Sequence, residues 1–137
     1  MTDALELPRV ASGKVRELYD AGEGRLLMVA SDRVSAFDVI MAEPIADKGR
    51  VLTAMTWFWC EEMADVVPGT ILAVDPAEIR AALGGMALPA DWAGRAMLVR
   101  RAEMLHLECI VRGYLAGQAY EEYARSGTVH GLSLIHI

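Results

Sequence analysis

The sequence predicts an α+β fold, a mostly antiparallel sheet with helices packed on it. Three observations predict it. The first third carries short apolar runs separated by glycine turns, one long and two short helical segments lie further along, and strands and helices do not alternate regularly. The last point argues against a doubly wound parallel sheet. A length of 137 residues fits one modest core.

Lys14 to Tyr19 and Arg25 to Ala30 read as strands, joined by Asp20-Ala21-Gly22-Glu23-Gly24, which has hairpin chemistry. Ala36 to Met41 reads as a third strand. Arg50 to Val67 reads as a helix, because Leu52, Met55, Trp59, Met63 and Val66 recur at helical spacing and Pro68-Gly69 stops the run. That spacing makes the Trp57-Phe58-Trp59 cluster a core element rather than a base-stacking platform. Asp75-Pro76 opens a short helix as N-cap and first-turn proline, and Gly84-Gly85 closes it. Arg95 to Arg101 and Leu107 to Val111 read as strands, and Gln118 to Arg125 as a helix with Gly127 as its C-cap.

Hydrophobic residues make up 54% and charged residues 23%, which implies a folded chain rather than a disordered one. The formal net charge of -6 excludes a general attraction to nucleic acid or anionic membranes. An anionic ligand therefore needs locally concentrated cations. Cys60 and Cys109 stand apart in apolar company and read as buried, reduced thiols. Neither an apolar leader nor a membrane-span length appears, so a cytoplasmic location is expected.

Several segments concentrate chemistry. In Glu108 to Gly117 an apolar run delivers Arg112 beside Gly113 and Gly117, a guanidinium next to backbone that a phosphate or carboxylate can approach closely. In Ser12 to Asp20 a glycine turn at Gly13 leads into a strand whose alternation puts Lys14 and Arg16 on one face. Two cations over such a turn form either a polyphosphate cradle or a solvated strand face, and no Walker pattern is present. Ser31 to Asp38 packs polar side chains into a strand-end loop, either functional or a turn with a surface ion pair. Asp47-Lys48-Gly49-Arg50 heads the long helix, as an anion site or an ordinary N-cap. His106, His130 and His136 show no metal spacing, and each reads as structural or superficial.

Taken in order, GKVRELYD (Gly13 to Asp20), SDRVSAFDV (Ser31 to Val39), KGRVLTAMTWFW (Lys48 to Trp59), VPGT (Val67 to Thr70), ECIVRGYLAG (Glu108 to Gly117) and GTVHG (Gly127 to Gly131) resemble the SAICAR synthetase family. The resemblance implies a two-lobed fold like that of protein kinases and ATP-grasp enzymes, with ATP between a β-rich N-terminal lobe and a larger second lobe. On that reading residues 1–105 are the ATP-binding lobe, 106–131 begin the second lobe and 132–137 are an anomalous tail, a truncation or sequencing artefact. Most of the second lobe is then missing, and the apolar face it leaves uncovered favours self-association.

The activity implied is an ATP-dependent C–N ligation of L-aspartate to carboxyaminoimidazole ribonucleotide, by way of an acyl phosphate. Carried over by position, Gly13, Lys14 and Arg16 contact ATP and Met104 lies by the adenine. Arg112 holds the imidazole nucleotide together with Ser35, Gly117 and Gln118, and Lys14 and Arg112 are the catalytic pair. Gln118 stands where the family pattern has a serine, offering a donor and an acceptor on a longer arm. No metal ligand is expected within these residues, and the Mg²⁺ ligands fall in the missing part. Competing readings are a non-catalytic nucleotide-binding module, a kinase-like phosphotransferase and a purely structural domain.

Overall fold

The computed structural model describes residues 7–36, 39–105, 107, 111 and 113–133. They belong to two compact units, Met1–Glu103 and Met104–Ile137. In chain order the first holds β1 (Arg9–Ser12), β2 (Arg16–Asp20), β3 (Arg25–Ala30), β4 (Ser35–Ala36), β5 (Val39–Ile40), α1 (Lys48–Glu62), β6 (Ile71–Ala73), α2 (Pro76–Ala82), a 3-10 turn at Ala90–Trp92, and β7 (Ala96–Arg100). The second holds α3 (Gln118–Ser126) and the short hairpin β8 (Thr128–Val129) and β9 (Leu132–Ser133).

Five strands form one sheet in the order β1-β2-β3-β7-β6, every neighbouring pair antiparallel. This is the α+β class that the sequence predicts. The β2–β3 hairpin pairs Arg16 with Ala30 and Asp20 with Leu26, and the Asp20 carboxylate accepts the Gly22 N–H at 2.9 Å to fix the turn. Leu27 faces Leu98 across the β3–β7 pair, and Val29 faces Ala96. Alternate strand residues share a face, so these four lie together and form the core with Ala21, Ala73 and Ile79 of α2. Leu27 is 0% exposed, Leu98 1% and Ile79 1%. Tyr19 and Trp92 close one side, their ring centroids 5.0 Å apart.

Both short helices begin and end as their sequences require. At α2 the Asp75 carboxylate accepts the N–H groups of Ala77 at 2.8 Å and Glu78 at 3.2 Å, with Pro76 in the first turn. At α3 Gly127 adopts φ 70°, and its N–H reaches the Tyr123 carbonyl at 2.7 Å.

The structure departs from the sequence reading at several places. β2 starts at Arg16, not Lys14, because Gly13 closes a tight turn by donating its N–H to the Arg16 carbonyl at 2.8 Å. Lys14 therefore lies in the bend, and strand alternation does not relate it to Arg16. The third strand is two short ones, pairing Ser35 with Ile40 and Ala36 with Val39. β1 and β6 were not foreseen; each is too short to display a period. Of the expected strand Leu107 to Val111, residues 108–110 lie outside the described residues, and Leu107 and Val111 are in no strand.

α1 stops at Glu62, five residues before Val67. Met63 leaves helical geometry at φ -102°, ψ 10°, and the Val66 N–H turns back to the Met63 carbonyl at 2.9 Å. Two β-branched residues followed by proline favour extended backbone there. The expectation that the α1 stripe enters the core is also overturned. Leu52, Met55, Phe58, Trp59, Met63 and Val66 are exposed, with Trp59 at 57%, and Trp57 is half-buried. The helix instead buries Thr53 and Gly49, the latter where close approach to the Ala30 backbone of β3 demands a small residue. Cys60 is a free thiol, only half-buried, and Cys109 lies outside the described residues.

Candidate functional site

The β1–β2 turn is held from outside its own hairpin. Because Arg16 pairs with Ala30, continuing that register brings the residues after β3 back along the turn. The Ser31 hydroxyl donates to the Val15 carbonyl at 3.0 Å, and the Ser31 N–H reaches the same oxygen at 2.9 Å. Arg33 then bridges three acceptors. Its Nε donates to Ser31 Oγ at 3.2 Å, and its Nη2 donates to the Gly13 carbonyl at 3.3 Å and to Glu17 Oε1 at 2.9 Å. The carbonyls of Gly13, just before Lys14, and of Val15, just after it in the chain, are thereby fixed.

Glu17 anchors this network on β2. Its Oε1 also accepts from the Ser12 hydroxyl at 3.0 Å. Its Oε2 is buried without a hydrogen bond among the described residues, and the Arg9 guanidinium lies 3.8 Å away, near enough to balance charge. Cations flanking one partly buried carboxylate raise the local positive potential around the turn. A Cβ at Gly13 would make a tight contact with the Arg16 carbonyl oxygen at 3.3 Å.

A second node sits beside the first. Asp32 Oδ1 accepts the Gly49 N–H at 2.9 Å, and Arg95 reaches both carboxylate oxygens, Nη1 to Oδ1 and Nη2 to Oδ2, each at 3.1 Å. The carboxyl is held below the usual 3.8, first by the Gly49 hydrogen bond and also by Arg95, against an opposing effect of burial. So the α1 N-terminus already has its anion, supplied by Asp32. Asp47, at the N-cap position, has φ 60° and no side-chain capping bond; its carboxylate pairs instead with Arg50 at 2.9 Å. The sequence alternative of an external anion at Asp47 to Arg50 is replaced by this internal one.

The predicted site residues divide as follows. Gly13, Lys14 and Arg16 sit together in the first unit, on the pinned turn and at the start of β2, with both cations exposed. Ser35 opens β4 in the same unit. A hollow of about 440 Å³ beside that hairpin is lined by Val34, Met41, Ala42, Glu43, Pro44 and Ile45; its one ionised group is a carboxylate, so it does not suit a phosphate. Met104, 77% exposed, begins the second unit, where Gly117 caps α3 at φ 60° and Gln118 is its first residue. Arg112 lies outside the described residues. Sequence reasoning missed Arg9, Ser12, Glu17 and Arg95, which hold the site in place.

The family model described as SAICAR synthetase matches residues 9–134. The chain belongs to the SAICAR synthetase family. The phosphoribosylaminoimidazole-succinocarboxamide synthase of Saccharopolyspora erythraea is 48% identical over 134 residues, which are 98% of this chain and 42% of that protein. The enzyme of the same name from Trichlorobacter lovleyi is 50% identical over 133 residues, 97% of this chain and 44% of its own length. Among solved structures, a SAICAR-synthase from Saccharomyces cerevisiae complexed with SAICAR superimposes with a TM-score of 0.81 at 39% identity, over 97% of this chain and 47% of that one. The chain thus spans less than half the length of the SAICAR synthetases that it matches. Both nodes, Gly13 to Glu17 with Arg33 and Asp32 with Gly49, lie inside the matched region. No helix among the described residues is long and apolar enough to cross a membrane.

Proposed function

We propose that this chain carries the ATP-phosphate cradle of a ligase joining L-aspartate to the carboxylate of carboxyaminoimidazole ribonucleotide, with release of ADP and phosphate to give SAICAR. The observation that supports it best is the pinned Gly13–Arg16 turn lying inside a family match from residue 9 to 134.

In this reading Lys14 and Arg16 neutralise the ATP phosphates while the γ-phosphoryl group passes to a carboxylate oxygen of the imidazole nucleotide. The aspartate amine then attacks the acyl carbon, losing its proton, and phosphate leaves with the C–O bond electrons. Met104 lies by the adenine. Arg112, with Ser35, Gly117 and Gln118, holds the imidazole nucleotide, and Lys14 and Arg112 act on the reacting groups. The Mg²⁺ ligands are assigned to the further length found in relatives, and the part of the residues named here is binding and charge neutralisation.

Titration calorimetry of the 137-residue chain with ATP tests the reading. Lys14→Ala is expected to weaken ATP about tenfold, the worth of one charge-assisted phosphate contact. Equal affinity in wild type and variant would sink the cradle assignment. Turnover with aspartate and the carboxylated nucleotide is expected only when the remaining length found in relatives is supplied.

A further inference from the structure

We infer that Arg33 is a positioning residue for ATP, acting through Lys14, an inference that rests on the proposed cradle. Arg33 follows β3, yet its guanidinium joins Ser31 Oγ at 3.2 Å, the Gly13 carbonyl at 3.3 Å and Glu17 Oε1 at 2.9 Å. Ser31 in turn holds the Val15 carbonyl through its hydroxyl and its N–H. The peptide group that leads into Lys14, and the one that joins Val15 to Arg16, are thus fixed by one connected set of bonds.

In a trans peptide the N–H points opposite to the preceding C=O, and no cis bond is present among the described residues. Turning the Gly13 carbonyl toward Arg33 therefore fixes the direction of the Lys14 N–H and the path of its Cα. Only a planar fork of several donors can serve three acceptors in such directions; a lysine ammonium on a flexible stem cannot hold them together. Arg33 also spends its charge on Glu17, 2.9 Å away, so its role is to aim the turn, not to bind phosphate itself. A fixed backbone lowers the ordering cost when a polyphosphate arrives.

The experiment is a double-mutant cycle on the 137-residue chain, with ATP affinity by calorimetry and the unfolding midpoint recorded for every variant. Arg33→Ala is expected to weaken ATP about tenfold in the wild-type background. In a Lys14→Ala background the same change should alter affinity by less than about twofold, because its route of action is already gone. An equal loss in both backgrounds would mean a direct phosphate contact or a general structural role, and overturns the inference. Arg33→Lys keeps a cation near Glu17, and decides the matter if the alanine variant does not fold. It should lose affinity severalfold, and wild-type affinity in it overturns the inference. If Lys14→Ala weakens ATP while both Arg33 variants bind normally, the positioning role alone fails. If wild type binds no ATP, the cradle reading fails and the inference with it.

Discussion

Asp32 caps helix α1 from a different segment of the chain, its Oδ1 accepting the Gly49 N–H at 2.9 Å. The bond ties the loop after β3 to the helix that follows, while Arg95, just before β7, grips the same carboxylate through two nitrogens. The position normally reserved for the cap, Asp47, is bent into the left-handed region and contributes no such bond. One carboxylate thereby sets how the central strands meet α1, and the Arg33 network begins at the next residue.

Asp32 should make stability depend on acid. Its folded pKa is lowered from 3.8, so its contribution is full above the unfolded value and disappears as pH falls through the lowered one. Asp32→Asn is expected to lower the unfolding midpoint near neutrality. The gap to wild type should then narrow as the pH drops below 3.8. Thermal unfolding followed by circular dichroism across that range checks it; a gap independent of pH would show that the ionised form is not what α1 uses.

Gly49→Ala should destabilise, the reverse of the usual helix rule. Replacing a helical glycine by alanine ordinarily gains up to about 1 kcal/mol. Here the added Cβ would stand 2.7 Å from the Ala30 carbonyl oxygen and 3.2 Å from Asp32 Oδ1. Backbone cannot swing aside as a long side chain can, so an overpacking cost of about 1–3 kcal/mol outweighs the propensity gain. Urea unfolding gives the sign directly, and a stabilised variant would mean that α1 can retreat from β3.

The sequence made the hairpin and both short helices legible because their signals are local. Asp20 to Gly24 names its turn, Asp75-Pro76 its start and Gly127 its stop. The site was half legible. Gly13, Lys14 and Arg16 are adjacent in the chain, but Arg33 and Glu17 meet only through the register of the β2–β3 pair. With Arg16 opposite Ala30, the same count puts Ser31 beside Val15 and Arg33 beside Gly13. That arithmetic was available once the turn was recognised, since the turn fixes register. The Asp32–Gly49 cap was not, because it joins two loops whose separation only the packed sheet determines. Helical period located α1 but did not reveal which of its faces meets β3, where size rather than hydrophobicity decides.

The α2 cap should behave as a local effect. Asp75→Ala removes acceptors from the Ala77 and Glu78 N–H groups and should cost about 1 kcal/mol. Because α2 delivers Ile79 to the core, the loss should appear in global unfolding. Asp75→Ser or Asp75→Asn should recover most of it, since either supplies an oxygen at the same place. Failure of both to recover it would mean that Asp75 does something other than capping.

Trp59 and Leu98 offer the sharpest contrast between period and position. Helical spacing puts Trp59 in a core, where truncation to alanine costs about 3–5 kcal/mol. In the structure it is 57% exposed and touches Phe58 edge-on, with centroids 5.2 Å apart. Trp59→Ala should therefore cost under about 1 kcal/mol in the 137-residue chain, near the range of ordinary surface changes. Leu98, 1% exposed on central β7, should cost about 2–5 kcal/mol when cut to alanine, because it is buried in the core with Leu27, Val29 and Ile79. Equilibrium urea unfolding at low protein concentration separates the two. A large Trp59 loss that grows with protein concentration would show the exposed α1 stripe buried between copies of the chain, since mass action makes association a source of stability.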